Sequence, residues 1–241
     1  MTGSDHGPRE GDLQTRGLGG HDLQVALAGL GPFFAVDGHR PGEEPSAGWL
    51  RVSDLSAGPD LLDRRVEQIR AALSASAPRP VPVERWVAVS VTHLGLVARL
   101  LSPTLAVAAL GHPELAVADL WWQDVIGGAV PLSGAFVPTG AAVPRPVQDL
   151  TELVIDRFRL SRHVAWGNVA SAANSAATVM VSGRPDLADA ARRAADAVLA
   201  DPRVEGGRLS SGPTFRRASC CLIYRLAGSR EAVCGDCVLG G

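Results

Sequence analysis

The sequence contains no lysine, no cysteine before position 220, and no apolar run within its first 20 residues. All 23 basic residues are arginines, which we interpret, with the abundant alanine, glycine and proline, as the coding bias of a GC-rich genome. The net charge of −2 lacks the basic excess of a general nucleic-acid binder, so we expect no nucleic-acid partner. The polar N-terminus has no secretory signal, which predicts a cytoplasmic, reducing location.

Nucleotide-binding and hydrolase motifs are also missing. No G-x-G-x-x-G sequence follows a predicted strand, and neither G-x-x-x-x-G-K-[ST] nor G-x-S-x-G occurs. The sequence therefore predicts no nicotinamide, flavin or nucleotide site. Any electrons that the protein uses would come from a separate reductant.

The longest apolar stretch covers residues 86–111 and is interrupted by His93, Arg99 and Pro103. A membrane span does not normally carry such residues. We therefore expect a buried helix there, and no transmembrane segment in the chain.

The remaining pattern predicts an α+β fold, a mostly helical single domain with a small β element carrying the C-terminal four-cysteine site. Apolar residues at helical spacing predict an amphipathic helix over 59–75. The other predicted helices cover 21–30, 83–101, 104–110, 147–160, 162–181 and 185–200. The predicted strands are a hairpin over 115–122 and 129–137, and two short strands over 214–226 and 233–239.

Three regions are expected along the chain. Residues 1–20 are rich in glycine and charge and have no periodicity, which predicts a disordered tail. Residues 21–213 form the mainly helical body, and residues 214–241 form a C-terminal segment that carries every cysteine.

All four cysteines fall within eighteen residues, as C-C-x12-C-x2-C: Cys220, Cys221, Cys234 and Cys237. Clustered thiols in a reducing compartment favour metal ligation over structural disulfides. An iron–sulfur cluster and a zinc ion both accept four thiolates. A dithiol switch and unrelated buried cysteines are the remaining alternatives.

The spacing is unusual for zinc. Cys234-Gly-Asp-Cys237 has the form of a metal knuckle, but a zinc ribbon normally has two of them. Neighbouring side chains on a strand point to opposite faces, so Cys220 and Cys221 can reach one centre only if the backbone bends there. This spacing favours an iron–sulfur cluster and leaves zinc as an alternative.

The sequence R-x-S-C-C-L-x-Y-R, at 217–225, followed by C-G-D-C at 234–237, resembles the FhuF-like ferric-siderophore reductase family. The resemblance is weaker upstream, where 166–171 (W-G-N-V-A-S) and 99–103 (R-L-L-S-P) are similar to family segments, so that it spans about 85–241. The twelve-residue spacer between the cysteine pairs is longer than in the best-known member. The extra residues fall in a predicted turn over 227–231.

The resemblance implies a [2Fe–2S] cluster held by all four cysteines. It also implies a ferric-siderophore reductase, which passes single electrons to Fe(III) in an imported siderophore and releases Fe(II). The implied partners are the ferric siderophore and an external electron donor, such as a ferredoxin or a flavin reductase. The alternatives are a zinc-stabilised binding module and an iron–sulfur sensor without reductase activity.

Three residues outside the cysteines are candidates for substrate binding. From position 203 onward there are six arginines and three acidic residues, so this end of the chain is locally positive. Arg216 and Arg217 lie close to the cysteines and would attract an anionic ferric chelate. Asn168 lies in the W-G-N stretch and would line a cleft.

Overall fold

The structure, a computed structural model, describes residues 20–57, 59–76, 82–204, 212, 214–226 and 235–237. Within these ranges the helices are α1 (Gly20–Gly29), α2 (Asp54–Ala57), α3 (Pro59–Ser76), α4 (Arg85–Ala109), α5 (Arg145–Phe158), α6 (Arg162–Gly183) and α7 (Ala188–Leu199). The strands are β1 (Asp37–Gly38), β2 (Leu50–Arg51), β3 (Leu115–Trp122) and β4 (Leu132–Pro138). This α+β single domain confirms the predicted fold class.

The four strands form one sheet in the order β1-β4-β3-β2. The predicted hairpin is confirmed, since β3 and β4 pair antiparallel. β1 pairs parallel to β4, and β2 pairs antiparallel to β3. These two outer strands are two residues each and were not predicted, because so short a segment carries no alternating pattern.

Helix α4 lies at the centre of the fold, where it contacts α3, α5, α6, α7 and β3. The sequence predicted two helices separated at Pro103, and this was wrong, because α4 continues through the proline. An interior proline costs a helix about 3 kcal/mol. Burial of 18 of the 25 residues of α4 offsets that cost.

Helix α4 is also, within the described residues, the one helix long and apolar enough to span a membrane. Most of its apolar window is buried inside the protein. The burial predicted for the apolar stretch over 86–111 therefore agrees with the structure, although one helix replaces the two that were expected.

Arg99 is buried in the middle of α4 and joins it to two other parts of the fold. Its Nε donates to the carbonyl of Val130 at 2.7 Å, and its Nη1 donates to the carbonyl of Phe33 at 2.9 Å. Its Nη2 donates to the carbonyl of Ala35. Burial lowers the pKa of Arg99 to about 10, so the guanidinium remains charged at neutral pH.

The cysteine segment differs from the prediction. No strand forms over 214–226, which contains turns and a short 3-10 helix, Ile223–Leu226. Of the second predicted strand, only residues 235–237 are described, and they form a turn. The tail over 1–19 and the turn over 227–231 lie outside the described residues. The sheet therefore lies in the body of the protein, and a loop carries the described thiols.

A chain of serine, histidine and aspartate side chains joins β4 to the loop after β1. His39 Nδ1 lies 2.7 Å from Ser133 Oγ, and His39 Nε2 lies 3.3 Å from Asp119 Oδ2. The Ser133 hydroxyl is 3% exposed and donates to the carbonyl of Asp37. It is neither accessible nor free to act as a nucleophile, so this arrangement links the strands and is not a hydrolytic site.

Asp119 lies at the bulge in β3 and has a φ of 47°, in the left-handed region. The hydrogen bond from Gly42 N–H holds the pKa of Asp119 below its ordinary value, and His39 and Arg51 lower it further. The ionised carboxylate therefore stabilises the fold above the unfolded-state pKa, and that stabilisation is lost as pH falls through the folded-state pKa.

We expect Asp119→Asn to reduce the free energy of unfolding at pH 7 by on the order of 1 kcal/mol, since asparagine keeps the left-handed backbone but lacks the charge. The difference from the native protein should shrink as pH falls from about 5 to 3, where the native carboxylate becomes protonated. Urea unfolding over this range is the measurement, with Asp119→Ala as the control that also strains the backbone. A difference that stays constant with pH would contradict the electrostatic explanation.

Candidate metal centre

The described thiols lie against the body of the protein. Cys221 and Cys237 are buried, and Cys220 is half-buried. Cys220 interacts electrostatically with both of the others and forms a side-chain hydrogen bond with Cys237. The fourth predicted ligand, Cys234, lies outside the described residues. The fold thus brings Cys220 and Cys237 into contact, although seventeen positions separate them in the sequence.

The backbone bends sharply directly after the vicinal cysteines. Leu222 has a φ of 71°, a conformation that non-glycine residues rarely adopt. Its N–H donates to Cys220 Sγ at 3.3 Å, and its carbonyl accepts from Arg225 N–H at 3.1 Å. Cys220 and Cys221 lie in irregular backbone, so the alternation that would point them to opposite faces of a strand does not apply to them.

The surroundings of Cys220 favour a protonated thiol in the absence of a metal. Burial raises the pKa of this thiol, and the neighbouring Cys221 and Cys237 raise it further, while the hydrogen bond from Leu222 opposes them. Binding of a metal centre would therefore release protons as the thiolates form. The cation, rather than a nearby base, would stabilise the thiolates.

Within the described ranges, no group of three His, Cys, Asp or Glu side chains is spaced to hold a metal ion. These ranges contain only three of the four predicted ligands. The donor chemistry fits an iron–sulfur cluster, because Cys220 and Cys237 are in contact and a backbone N–H already donates to one sulfur.

Hydrogen bonds to α4 and α6 hold the cysteine segment. Ser90 of α4 donates to the carbonyl of Cys221 at 2.8 Å. Ser171 of α6 donates to the carboxylate of Asp236, and Ser219 donates to the carbonyl of His163 at 2.7 Å. A backbone hydrogen bond also joins the two described parts of the segment, since the main-chain N–H of Arg217 donates to the carbonyl of Asp236 at 2.9 Å.

Asn168 of α6 lies at the centre of a buried polar network beneath these cysteines. Its Oδ1 accepts from Arg217 Nη2 at 2.7 Å. Its Nδ2 lies 3.1 Å from the carbonyl of Ser90 and 3.2 Å from His93 Nδ1. Since arginine can only donate, Arg217 fixes the orientation of this amide, and Nδ2 must then donate to His93.

The same logic fixes the tautomer of His93. Its Nδ1 accepts from Asn168, so the neutral ring carries its proton on Nε2, which lies 3.2 Å from Thr151 Oγ1. Thr151 in turn donates to the carbonyl of Val147 at 2.6 Å. The network therefore runs in one direction, from Arg217 to α5.

Complete burial lowers the pKa of His93 to about 3, and the positive charge of Arg217 adds to this effect. The ring is neutral at physiological pH. In the unfolded chain a histidine titrates near pH 6.5, so the unfolded state binds a proton below that pH and the folded state does not. Stability is therefore fully present above about pH 6.5 and is lost as pH falls toward about 3.

The structure separates the three candidate substrate-binding residues. Arg216 is exposed, and its Nη1 lies 3.4 Å from the carbonyl of Cys237. Asn168 is fully buried and Arg217 is 2% exposed. Only Arg216 is thus placed to meet a molecule from solvent, while the contacts of Asn168 and Arg217 hold the interior together.

Other residues of the site were not predicted. Ser219 and Ser171 lie inside the motifs R-x-S-C-C and W-G-N-V-A-S, so their motif positions were a signal. Ser90 lies within an apolar helix and carries no such signal. Its role follows only from the packing of α4 beneath Cys221.

A cleft of about 610 Å³ opens beside Gly235 and Asp236, the two residues that precede Cys237 in the sequence. Phe215 and Leu94 provide part of its wall. Its polar lining comes mainly from α6 and includes Ser171, Asn174, Ser175, Thr178, Ser182 and, from α7, Arg192. The cleft adjoins the metal-binding segment and exposes several hydroxyl groups.

We expect the free energy of unfolding to fall as pH drops from about 6.5 toward 4, with a contribution from His93 of up to about 1.4 kcal/mol per pH unit. His93→Gln should be less stable at pH 7, yet it should lose this part of the pH dependence. Denaturant unfolding of the metal-free protein at several pH values tests this, with the exposed His21→Gln as the matched control. A pH slope that survives in His93→Gln but not in His21→Gln would refute the assignment.

Comparison with known proteins identifies one segment of the chain. Residues 217–239, which include all four cysteines, match the family model for the FhuF 2Fe-2S C-terminal domain. No curated protein and no solved structure matches the chain significantly. The match supports a [2Fe–2S] cluster as the cofactor. The C-terminal segment is thus similar to the FhuF 2Fe-2S domain, and the chain is consistent with an FhuF-like family.

Proposed function

We propose that this protein is a ferric-siderophore reductase that passes single electrons through a [2Fe–2S] cluster to Fe(III) in an imported chelate. The observation that carries the proposal is the match of the four-cysteine segment to an FhuF 2Fe-2S domain. The position of this segment beside a polar cleft on α6 supports it.

The chemistry rests on the change in the iron ion. Fe(III) is a hard cation that hydroxamate and catecholate oxygens bind tightly, whereas Fe(II) is softer and carries less charge. Reduction by one electron therefore weakens the chelate and releases the metal. A one-electron carrier near the bound chelate is what this reaction needs.

The ligands in this proposal are Cys220, Cys221, Cys234 and Cys237. The cluster supplies the one-electron chemistry when bound. The chain itself fixes the ligands, because Ser90, Ser171 and Ser219 attach the cysteine segment to the helices. Residues 214–241 would then be the cofactor-binding segment, and residues 21–213 the body that positions it.

The cleft beside Asp236 is the place where we propose that the ferric chelate binds. Its hydroxyl and amide groups suit the polar surface of a chelate, and it borders the segment that holds the cluster. Arg216, exposed beside Cys237, would attract an anionic chelate toward this end of the molecule. Asn168 and Arg217 are buried, so they would support the site from within and would not contact the chelate directly.

The electron donor would be a separate protein, such as a ferredoxin or a flavin reductase, because the sequence has no nicotinamide or flavin motif of its own. Imported siderophores arrive inside the cell, so the proposed location is cytoplasmic. Rapid bleaching of the cluster by NAD(P)H alone would contradict the need for a separate donor.

The first test is anaerobic purification followed by absorption spectroscopy, metal analysis and EPR after dithionite reduction. We expect visible charge-transfer bands, about two irons per chain and an EPR signal that appears only on reduction. Cys237→Ser should lose or destabilise these features because it removes a buried thiolate ligand, while the neighbouring, exposed Ala218→Ser should keep them.

A colourless protein with one zinc per chain, still colourless after attempted cluster reconstitution, would favour the zinc-stabilised module. A stable cluster that never reduces any ferric chelate would favour the iron–sulfur sensor. A normal spectrum in Cys237→Ser would show that this cysteine is not a ligand.

A second expectation concerns the cleft. Ser175 is exposed in the cleft wall, so Ser175→Trp should fill the cleft and raise the KM for a ferric siderophore several-fold. The cluster spectrum and its reduction by dithionite should not change. Ser76→Trp, an exposed position on α3 outside the cleft, is the control. Equal KM values for Ser175→Trp and the native protein would place the chelate elsewhere.

A further inference from the structure

Arg217 is a buried cation with unpaired donors. The residue is 2% exposed, and two of its guanidinium nitrogens, Nε and Nη1, are buried without a hydrogen-bond partner. The third, Nη2, donates to Asn168 Oδ1 at 2.7 Å and lies 3.5 Å from the carbonyl of Val164. Both partners of this guanidinium are neutral groups.

A buried charge of this kind needs compensation. Removing an ionised group from water costs several kcal/mol unless an opposite charge lies nearby. Within the described residues, no carboxylate forms an ion pair with Arg217, although most other arginines there have one. The protein part of the site therefore leaves a positive charge and two N–H donors unbalanced.

The position of Arg217 indicates what balances them. The residue is three positions before Cys220, and its N–H donates to the carbonyl of Asp236, the residue before Cys237. The main chain of Arg217 therefore joins the two ligand-bearing stretches. Its side chain is linked to the carbonyl of Cys221 through Asn168 and Ser90. Four thiolates outweigh the positive charge of a [2Fe–2S] core, so a loaded site is net negative, and one-electron reduction adds a further negative charge.

We propose that Arg217 is the buried counter-charge of the cluster and raises its reduction potential. The inference rests on the cluster ligands proposed above and deepens that function, because the potential decides which reductants and which ferric chelates can exchange electrons with the protein. Arg217 acts here as a positioning and electrostatic residue, through space and through its hydrogen bonds.

Asn168 is suited to hold this cation without cancelling it. Its amide oxygen accepts from Nη2, but the side chain is neutral, so the full charge of Arg217 remains available to the cluster. An aspartate at this position would be nearly the same size and would neutralise the guanidinium. Asn168→Asp is therefore a second way to remove the effect while Arg217 stays in place.

The test is a redox titration of the loaded protein with chemical mediators, followed by EPR or absorption. Arg217→Gln should shift the reduction equilibrium at least tenfold toward the oxidised state, which corresponds to about 59 mV for one electron. Arg217→Lys should retain most of the native potential because it retains the charge. Arg216→Gln removes an exposed, solvent-screened charge one position away and should shift the equilibrium less than about twofold.

Two further measurements test the proposal if Arg217→Gln binds the cluster poorly. They are the reduction potential of Asn168→Asp and the change in melting temperature when the cluster is loaded. Asn168→Asp should lower the potential in the same direction as Arg217→Gln. The increase in melting temperature on cluster loading should be smaller in Arg217→Gln than in Arg216→Gln, because only the former lacks the buried attraction. A loss of cluster from Arg217→Gln but not from Arg217→Lys would also be the expected result of removing the counter-charge.

Equal potentials for Arg217→Gln, Arg216→Gln and the native protein would overturn the inference, as would loss of the cluster from Arg217→Lys as readily as from Arg217→Gln. The titration requires no ferric chelate, so its outcome is independent of the reductase proposal. If Arg217→Gln shifts the potential but the native protein reduces no ferric chelate, the result would support the role of Arg217 and contradict only the reductase proposal.

Discussion

The amide of Asn168 is the contact on which the cysteine segment depends. On one side it accepts from Arg217, and on the other it donates toward Ser90 and His93 of α4. One side chain therefore connects the two central helices to the segment that carries the thiols. A side chain that could not both accept and donate would leave buried polar atoms unpaired on at least one side, at a cost of about 1–3 kcal/mol each.

The packing of the surrounding helices excludes solvent from this contact and holds it in place. α4 lies at the centre of the molecule and α6 packs extensively against it, while six buried alanines of α6 are small enough to allow close approach. His93 is held neutral by this burial, and its tautomer follows from the orientation that Arg217 gives to Asn168. The positive charge of Arg217 is thereby the one charge of the network, and Asn168 and Ser90 link it to the carbonyl of Cys221.

Much of this could be predicted from the sequence, for identifiable reasons. Long helices with apolar residues at regular spacing, such as α3, were predicted to within a few residues, and the thiol pattern marked the site. The continuity of α4 through Pro103 was missed, because local propensity opposes it and only burial in the finished fold offsets the cost. The burial of Asn168 and Arg217 was also not predicted, because a polar residue in a motif gives no indication of whether it faces solvent or the core.

The described part of the cysteine segment has no strand of its own, and serines of α4 and α6 donate to its Cys221 carbonyl and its Asp236 carboxylate. Contacts with α4 and α6 therefore hold the conformation of this segment. The consequence is one of dependence: a change in how α4 packs against α6 would displace the thiols even where every cysteine is kept.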